Sequence, residues 1–312
     1  MKKTILPILT VLIVIFITGC KKDHSATHDQ TSPKYIVNFN VGDLSQQIVD
    51  INKSSKLKVN ATSHSDSLAM LFGSLSYWVK GSASKHIIQK PGDSNYGTFL
   101  DTLAAGTYTI SIIGGQTGLK FFDPNASYYS SKYDPVSFQT NAPLDGPPGD
   151  TFRKLFTITV PGADLNQTVT LTRIVGKLEI NIEDPIPATV TKIAATVKNE
   201  VFGFNIFYAD SVNSYNAAHD YLLFTQNVTA GDVNSKLSTL MFNTRFPFNV
   251  ELIAYDAANN IIADRIITNI SCYKNKKTSL SGKLFGGTST AGGNFVVTIN
   301  PTWDPTPIQA PL

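Results

Sequence analysis

Cysteine, methionine and charged residues are all scarce in this 312-residue sequence. It has two cysteines and three methionines, and charged residues make up 16% of the chain. The cysteines are Cys20, at the end of an N-terminal apolar segment, and Cys272. If Cys20 carries another modification, Cys272 has no partner. We therefore expect no internal disulfide and a buried, unreactive thiol at Cys272. A chain of this length can bury enough apolar area to fold without disulfides, and it is long enough for two domains.

The sequence also lacks an apolar run long enough to cross a membrane as a helix. Its longest run, at 5–17, has about a dozen residues, whereas a spanning helix needs roughly 20. Lys2 and Lys3 precede this run, and Gly19 and Cys20 end it, which is the pattern of a secretory signal peptide. Because a cysteine follows the small residue, the segment resembles the lipobox of bacterial lipoproteins. We predict a signal peptide at 1–19 and a lipid on Cys20; the alternative is an ordinary signal peptide.

A large excess of positive charge is absent too. The formal net charge is +3, and removal of 1–19 takes away Lys2 and Lys3, which leaves +1. A nucleic-acid-binding protein needs a basic face, so we predict no nucleic-acid partner. The polar residues at 20–33 predict a flexible tether between the lipid and the folded part. The expected location is the outer membrane, lipid-anchored and exposed at the cell surface.

None of the short motifs that mark common catalytic, metal or phosphate sites is present. The five histidines have no zinc-ligand spacing, and no Gly-x-Ser-x-Gly element would expose a nucleophilic serine. The glycine-rich segment 114–118 lacks the lysine and the following helix that a phosphate loop needs. A pair of carboxylates from distant strands would escape this search, but glutamate occurs only at Glu179, Glu183, Glu200 and Glu251. We therefore predict that the protein is not an enzyme and binds no metal or cofactor.

Strand-forming and turn-forming residues are plentiful. Val, Ile, Thr and the aromatic residues favour strands, while Asn, Gly, Asp and Pro favour turns. Together they predict an all-β protein. The predicted strands are 34–39, 56–60, 75–79, 99–103, 107–113, 154–160, 167–173, 177–183, 192–198, 203–207, 221–225, 239–243, 248–255, 261–267, 278–284 and 295–300. We also predict a hairpin at Gly106, loops at 81–95 and 114–150, and helical turns at 216–220 and 230–237.

Short strands separated by turn signals are typical of β-sandwiches, and the same texture repeats in the second half. We place the domain boundary near Ile174 to Gly176, between two predicted strands. The predicted domains are an N-terminal β-sandwich at 34–174 and a C-terminal β-sandwich at 175–312. A proline-rich tail at 301–312 completes the second, because its four prolines disfavour a central strand.

Several aromatic residues are candidates for binding a glycan or a protein partner. Sugars stack on exposed aromatic rings, with polar groups alongside. The candidates are Tyr128, Tyr129 and Tyr133 in the long loop, Trp78 on a predicted strand, and Trp303 in the tail. The competing interpretation is structural: the loop aromatics pack back on the sandwich, Trp78 belongs to the core, and Trp303 anchors the tail.

Three segments share the pattern of one protein family. Residues 171–180 read LTRIVGKLEI, residues 103–110 read LAAGTYTI, and residues 275–285 read NKKTSLSGKLF. In these segments the chain resembles the fimbrillin-like lipoproteins of Bacteroidetes, which build or anchor surface fimbriae of the type V pilus. Residues 171–180 are similar to the family's junction, where an Arg closes the first sandwich and a Lys-Leu-Glu strand opens the second.

The resemblance implies two transthyretin-like sandwiches in series and assembly with other pilin-like subunits by strand donation. An incomplete sandwich leaves an apolar groove and unpaired edge groups, and a neighbour's extended segment fills both. In the family's shaft subunits a protease cuts after an Arg and removes the first strand. Here the first arginine is Arg153, so the strand at 34–39 is retained, as in an anchoring subunit. A chain that is cut by another protease would look the same.

Two functions remain in competition at this point. The first is an outer-membrane-anchored structural or anchoring subunit of a pilus or adhesion assembly. The second is a glycan-binding surface lipoprotein of a polysaccharide-uptake system. The three tyrosines of the long loop separate them, because their replacement would abolish glycan retention only in the second case.

Overall fold

The computed structural model describes residues 32–42, 64–81, 85–115, 120–121, 137–139, 149–200, 203–207, 221–285 and 295–300. These residues contain many strands and one short helix, which confirms the predicted all-β fold. Apart from Ser32, they belong to one compact unit that starts at Pro33. No helix within the described ranges is long and apolar enough to span a membrane.

The elements follow one another in chain order. They are β1 (Lys34–Val41), α1 (His64–Leu71), β2 (Ser74–Lys80), β3 (Lys85–Gln89), β4 (Thr98–Ala104), β5 (Gly106–Gly115), β6 (Lys120–Phe121), β7 (Ser137–Gln139), β8 (Thr151–Val160), β9 (Leu165–Val169), β10 (Thr172–Arg173), β11 (Gly176–Ile182), β12 (Lys192–Lys198), β13 (Gly203–Asn205), β14 (Tyr221–Asn227), β15 (Ser235–Met241), β16 (Phe248–Tyr255), β17 (Ile261–Ile270), β18 (Lys277–Gly282) and β19 (Val296–Asn300).

The first sandwich consists of a three-stranded sheet and a five-stranded sheet. Their strand orders are β4-β1-β9 and β10-β8-β5-β2-β3. Alternate residues of β1 point inward, and Val37, Phe39 and Val41 are fully buried. They pack on apolar residues of the facing sheet, such as Tyr77 and Ile110, in one core cluster. Period-two alternation therefore forms this core, as the sequence predicts.

The second sandwich repeats the arrangement of the first. Its sheets have the orders β15-β11-β18-β19 and β14-β12-β16-β17. The central strand β11 pairs antiparallel with β15 and parallel with β18, as β1 pairs with β4 and β9. Its inward residues Leu178, Ile180 and Ile182 are fully buried in a separate core. Equivalent strands in the two halves can therefore be compared directly.

A third, smaller core contains residues of both sandwiches. Trp78 of β2 and Ile113 of β5 meet Ile206 and Phe242, with Val175 of the connecting segment in the same cluster. A small sheet in the order β13-β7-β6 also pairs strands from the two halves of the chain. The boundary predicted between 174 and 175 falls between β10 and β11, and as a domain limit it stays a prediction.

The predicted hairpin at Gly106 is wrong. Both strands exist, but β4 pairs with β1, whereas β5 pairs with β2 and β8 in the other sheet. Gly106, with φ of 152°, lies where the chain crosses between the two sheets. The predicted strand 167–173 is likewise divided, since β9 and β10 belong to different sheets. A glycine between two strands marks a sharp change of direction, and it does not show which strands pair.

Local predictions of loops and helices also need correction. The loop predicted at 81–95 contains β3, which pairs along β2 from Val79↔Lys85 to Leu75↔Gln89. The helical turn predicted at 230–237 ends in strand β15, which the pairing with β11 determines. Helix α1 was not predicted, because eight residues are too few to show a helical period; Leu68 holds it in the first core. The strand predicted at 56–60, the turn at 216–220 and the tail at 301–312 lie outside the described residues.

Candidate functional site

The first candidate site is the place that strand β1 occupies in the first sandwich. All seven residues from Lys34 to Asn40 pair antiparallel with β4, from Lys34↔Ala104 to Asn40↔Thr98. On its other side β1 pairs parallel with β9, from Val37↔Leu165 to Val41↔Val169. A strand with partners along both edges leaves no vacant position between β4 and β9.

Side-chain packing also holds β1 in the first sandwich. Phe39 is fully buried, and its ring centroid lies 5.6 Å from that of Tyr77 and 5.6 Å from that of Phe156. Aromatic pairs at this separation add to the gain from burial alone. At the start of the strand, the backbone N–H of Ile36 donates to Oδ1 of Asp164 at 2.8 Å. Removal of β1 would therefore expose a deep apolar groove.

Polar side chains connect β3, at the edge of one sheet, to β4, at the edge of the other sheet of the same sandwich. Nζ of Lys85 on β3 lies 2.6 Å from Oδ1 of Asp101 on β4, so the ion pair joins the edges of the two sheets. The hydroxyl of Tyr77 donates to Oδ2 of the same carboxylate at 3.3 Å. Burial, together with the negative charge of Asp101, raises the pKa of Tyr77 far above its usual range. The hydroxyl therefore stays protonated and remains a hydrogen-bond donor, which is a structural role.

Strand β19 differs from β1 in both pairing and burial. Among the described strands it pairs only with β18, and it forms the edge of its sheet. Val297 and Ile299 lie opposite Leu280 and Thr278, which are fully buried, so all four face the core side. Even so, Val297 is 45% exposed and Ile299 is 43% exposed. This strand is thus an apolar segment with little cover, attached along one edge.

Of the aromatic residues predicted to bind a glycan or partner, only Trp78 lies within the described residues. Its indole is 4% exposed and stacks on the ring of His86, with ring centroids 4.6 Å apart. It belongs to the core shared by the two sandwiches, so its face is not open to a sugar in this structure. Tyr128, Tyr129, Tyr133, Trp303 and Cys20 lie outside the described residues, and their roles stay predictions.

Cys272 and the acidic residues form no reactive or metal-binding arrangement in the parts of the chain that the structure describes. Cys272 is 1% exposed, and burial raises the pKa of its thiol to about 12. Among the same residues, no group of three or more His, Cys, Asp or Glu side chains could hold a metal ion.

The sequence predicts strands β1 and β19, but it does not show the ion pair between β3 and β4 or the exposure of β19. Lys85 lies in a segment predicted as loop, and its partner Asp101 is distant in sequence, so no local pattern joins them. Strand β19 was predicted, but nothing in its composition shows that its valines and isoleucine are exposed. Their exposure follows from the edge position, which only the pairing order reveals.

Comparison with known proteins identifies a family and a fold. Residues 146–309, just over half of the chain, match a family described as a family of unknown function, DUF6562. No curated protein matches the sequence. Among solved structures, the fimbrial anchor protein Mfa2 from Porphyromonas gingivalis is similar with a TM-score of 0.52 at 10% identity. The similarity covers 86% of this chain and 98% of that chain.

Two further solved structures have lower scores. The tip fimbrial protein Mfa3 from Porphyromonas gingivalis has a TM-score of 0.39 at 12% identity, covering 87% of this chain and 100% of that chain. A candidate adhesin from Bacteroides thetaiotaomicron has a TM-score of 0.48 at 11% identity, covering 86% of this chain and 97% of that chain. The likeness to Mfa2 confirms, at the level of the fold, the resemblance to fimbrillin-like proteins that the sequence shows.

Proposed function

The chain belongs to the DUF6562 family, whose function is unknown, and we propose that it is a fimbrillin-like cell-surface protein. In this proposal it is a structural or anchoring subunit of a pilus or adhesion assembly, and it carries out no catalysis. Support comes from the fold, which is similar to that of a fimbrial anchor protein, and from the state of strand β1.

The position of β1 is the observation that carries the proposal. In an assembly built by strand donation, a subunit that accepts a strand must first open a groove in its sandwich. Here β1 already fills the place between β4 and β9, with Phe39 fully buried. The first arginine, Arg153, lies far beyond it in the sequence, so cleavage after an arginine cannot remove β1 alone. A subunit whose groove is filled by its own first strand suits the end of an assembly, where an anchor lies.

Strand β19 is the best described candidate for contact with the next subunit. Its partner β18 lies beside β11 as β9 lies beside β1, and both pairs are parallel. Among the described strands, β9 has no partner on its outer edge. In the second sandwich, β19 covers the outer edge of β18. The equivalent edge of the first sandwich, the outer edge of β9, is therefore available in another copy or in a related subunit. If β19 is donated to β9 of a neighbouring subunit, Val297 and Ile299 become covered, and β19 and β9 pair with each other.

The anchoring part of the proposal rests on the N-terminal sequence. A lipid on Cys20 would hold the protein in the outer membrane, and the polar residues at 20–33 would let the sandwiches stand away from it. Replacement of Cys20 by Ser is expected to release the protein from membranes. If the Cys20→Ser variant stayed bound to membranes after a high-salt wash, the result would contradict the proposed lipid anchor.

Site-directed photo-crosslinking in native cells tests the proposed partner. A photoreactive amino acid replaces Val297 on β19 or, as control, Leu223 on β14, which is 44% exposed on the opposite edge of the sandwich. We expect position 297 to give an adduct with another β-sandwich subunit and position 223 to give none. Adducts confined to the same chain, or formed only with a porin-like transporter, would contradict the assembly role.

A further inference from the structure

Arg173 lies where the two sandwiches join. It ends β10, three residues before β11 begins. Its Nε lies 2.7 Å from Oδ1 of Asp150, and its Nη2 lies 2.8 Å from Oδ2 of the same carboxylate. The pair is therefore bidentate, the strongest geometry for an arginine and a carboxylate. The side chains are only 13% and 17% exposed, so solvent screens the pair less than an ion pair on the surface.

The same guanidinium reaches the second sandwich. Its Nη1 donates to Oδ1 of Asn275 at 3.2 Å, in the connection between β17 and β18. Its central carbon lies 4.7 Å from the ring centroid of Phe152 on β8, a cation–π distance. One side chain thus holds Asp150 and Phe152 of the first sandwich and Asn275 of the second.

Backbone hydrogen bonds fix the connecting segment on both sides. The N–H of Ile174 donates to the carbonyl of Thr151 at 2.9 Å, and the carbonyl of Val175 accepts from the N–H of Asn275 at 2.9 Å. The N–H of Lys177 donates to the carbonyl of Lys276 at 3.0 Å. A segment whose backbone groups are bonded in this way lacks the free rotation that a hinge needs.

Close packing at the same place leaves little room for movement. Val175 is fully buried in the core that contains Trp78 and Phe242. A side chain at Gly176 would place its Cβ 2.9 Å from the carbonyl oxygen of Tyr273, so only glycine fits there. The β17–β18 connection therefore lies directly against the connecting segment.

We propose that Arg173 is a lock that holds the two sandwiches in one fixed arrangement. It joins Asp150, at the start of β8, to the turn at Asn275, and the connecting segment then cannot act as a hinge. The proposal concerns the motion of the molecule, and it does not depend on the assembly role above. Lysine would not replace the arginine, because a single ammonium cannot bind a carboxylate in two places and reach Asn275 as well.

Hydrogen exchange of the full chain tests the lock. In Arg173→Gln we expect the amides of Lys177 and Asn275 to exchange about tenfold faster, the factor that corresponds to one lost charge-assisted hydrogen bond. Arg173→Lys should give the same change. Amides in β5 and β16 should keep the protection of the unchanged protein. Arg265→Gln is the matched control: Arg265 donates to the carbonyl of Leu284 within the second sandwich, so its loss should leave the junction amides protected.

Asn275→Gly tests the same lock with less risk to folding. Asn275 has φ of 57°, a conformation that glycine adopts freely, so this change removes mainly the side-chain acceptor. We expect faster exchange of the Lys177 amide in this variant, while Asn275→Asp restores the protection. Unchanged exchange at the junction in both Arg173→Gln and Asn275→Gly would overturn the proposal. Equal acceleration throughout both sandwiches would overturn it too, since that is the result of general destabilisation.

Discussion

The side chain of Phe39 shows how β1 is held in the first sandwich. Its ring is fully buried and contacts the rings of Tyr77 and Phe156. We predict that Phe39→Ala lowers the free energy of unfolding by about 3–5 kcal/mol, because it removes a large buried side chain and leaves a cavity. Denaturant unfolding measures this change.

Phe246→Ala serves as the control for that measurement. Phe246 is 48% exposed and has the guanidinium of Arg245 over its ring. Its removal should cost about 1 kcal/mol or less. A loss at Phe39 no larger than the loss at Phe246 would mean that β1 contributes little to the stability of the sandwich.

The buried thiol of Cys272 gives a prediction for alkaline pH. Burial raises its pKa from 9.0 to about 12, so between these values the folded protein keeps a proton that the unfolded chain releases. The unfolded state then binds fewer protons, and stability must fall as the pH rises from about 9 to 12. The raised pKa values of Tyr77 and Tyr96 act in the same direction.

Cys272→Ala isolates the part of this effect that the thiol causes. We expect the free energy of unfolding of the variant to fall less steeply with pH than that of the unchanged protein, while the tyrosines contribute equally in both. Denaturant titrations at several pH values between 9 and 12 give the two slopes. Identical slopes would show that the thiol does not titrate differently in the folded and unfolded chains.

Among the elements, β1 and β19 both carry apolar side chains on the core side, and these are buried in β1 but nearly half exposed in β19. We predict that the double variant Val297→Asp, Ile299→Asp stays folded, because both side chains are nearly half exposed, and that each change costs about 1 kcal/mol, because both positions face the core side. If β19 contacts a neighbouring subunit, the same variant should fail to join the assembly. Circular dichroism and the yield of the protein in sheared surface fibres measure the two results.

A matched change on the opposite edge separates assembly from folding. Thr225 on β14 points outward and is exposed, so Thr225→Asp adds a charge without affecting β19. It should leave both folding and assembly intact. Normal assembly of the Val297→Asp, Ile299→Asp variant would remove β19 from the proposed contact.

The elements themselves could largely be predicted from the sequence, whereas their pairing could not. Segments rich in strand-forming residues, such as Lys192–Lys198 and Phe248–Tyr255, are strands with the predicted bounds. Pairing depends on contacts between residues far apart in the chain, so Gly106 was assigned to a hairpin although its two strands lie in different sheets. Strand β3 was not predicted, because pairing with β2 stabilises it more than the strand preference of its own residues does.

In the whole molecule, the sequence predicted two β-sandwiches from its strand and turn pattern and from a resemblance, and the structure adds the details of the junction. The segment 171–180 indicated a junction in which Arg173 closes the first sandwich. It could not show that Asp150 and Asn275 meet this arginine, because both are distant from it in sequence. The glycan alternative depended on exposed aromatic rings, and Trp78, the one that the structure describes, is buried.

We propose that this protein joins a surface assembly with its first strand still in place. Peptide mapping of the protein recovered from sheared surface fibres tests this proposal. We predict that the protein copurifies with these fibres and that peptides covering residues 34–41 are recovered in the same amount as peptides from β11 and β16. Recovery of a chain that begins after Val41, or absence of the protein from the fibres, would contradict it.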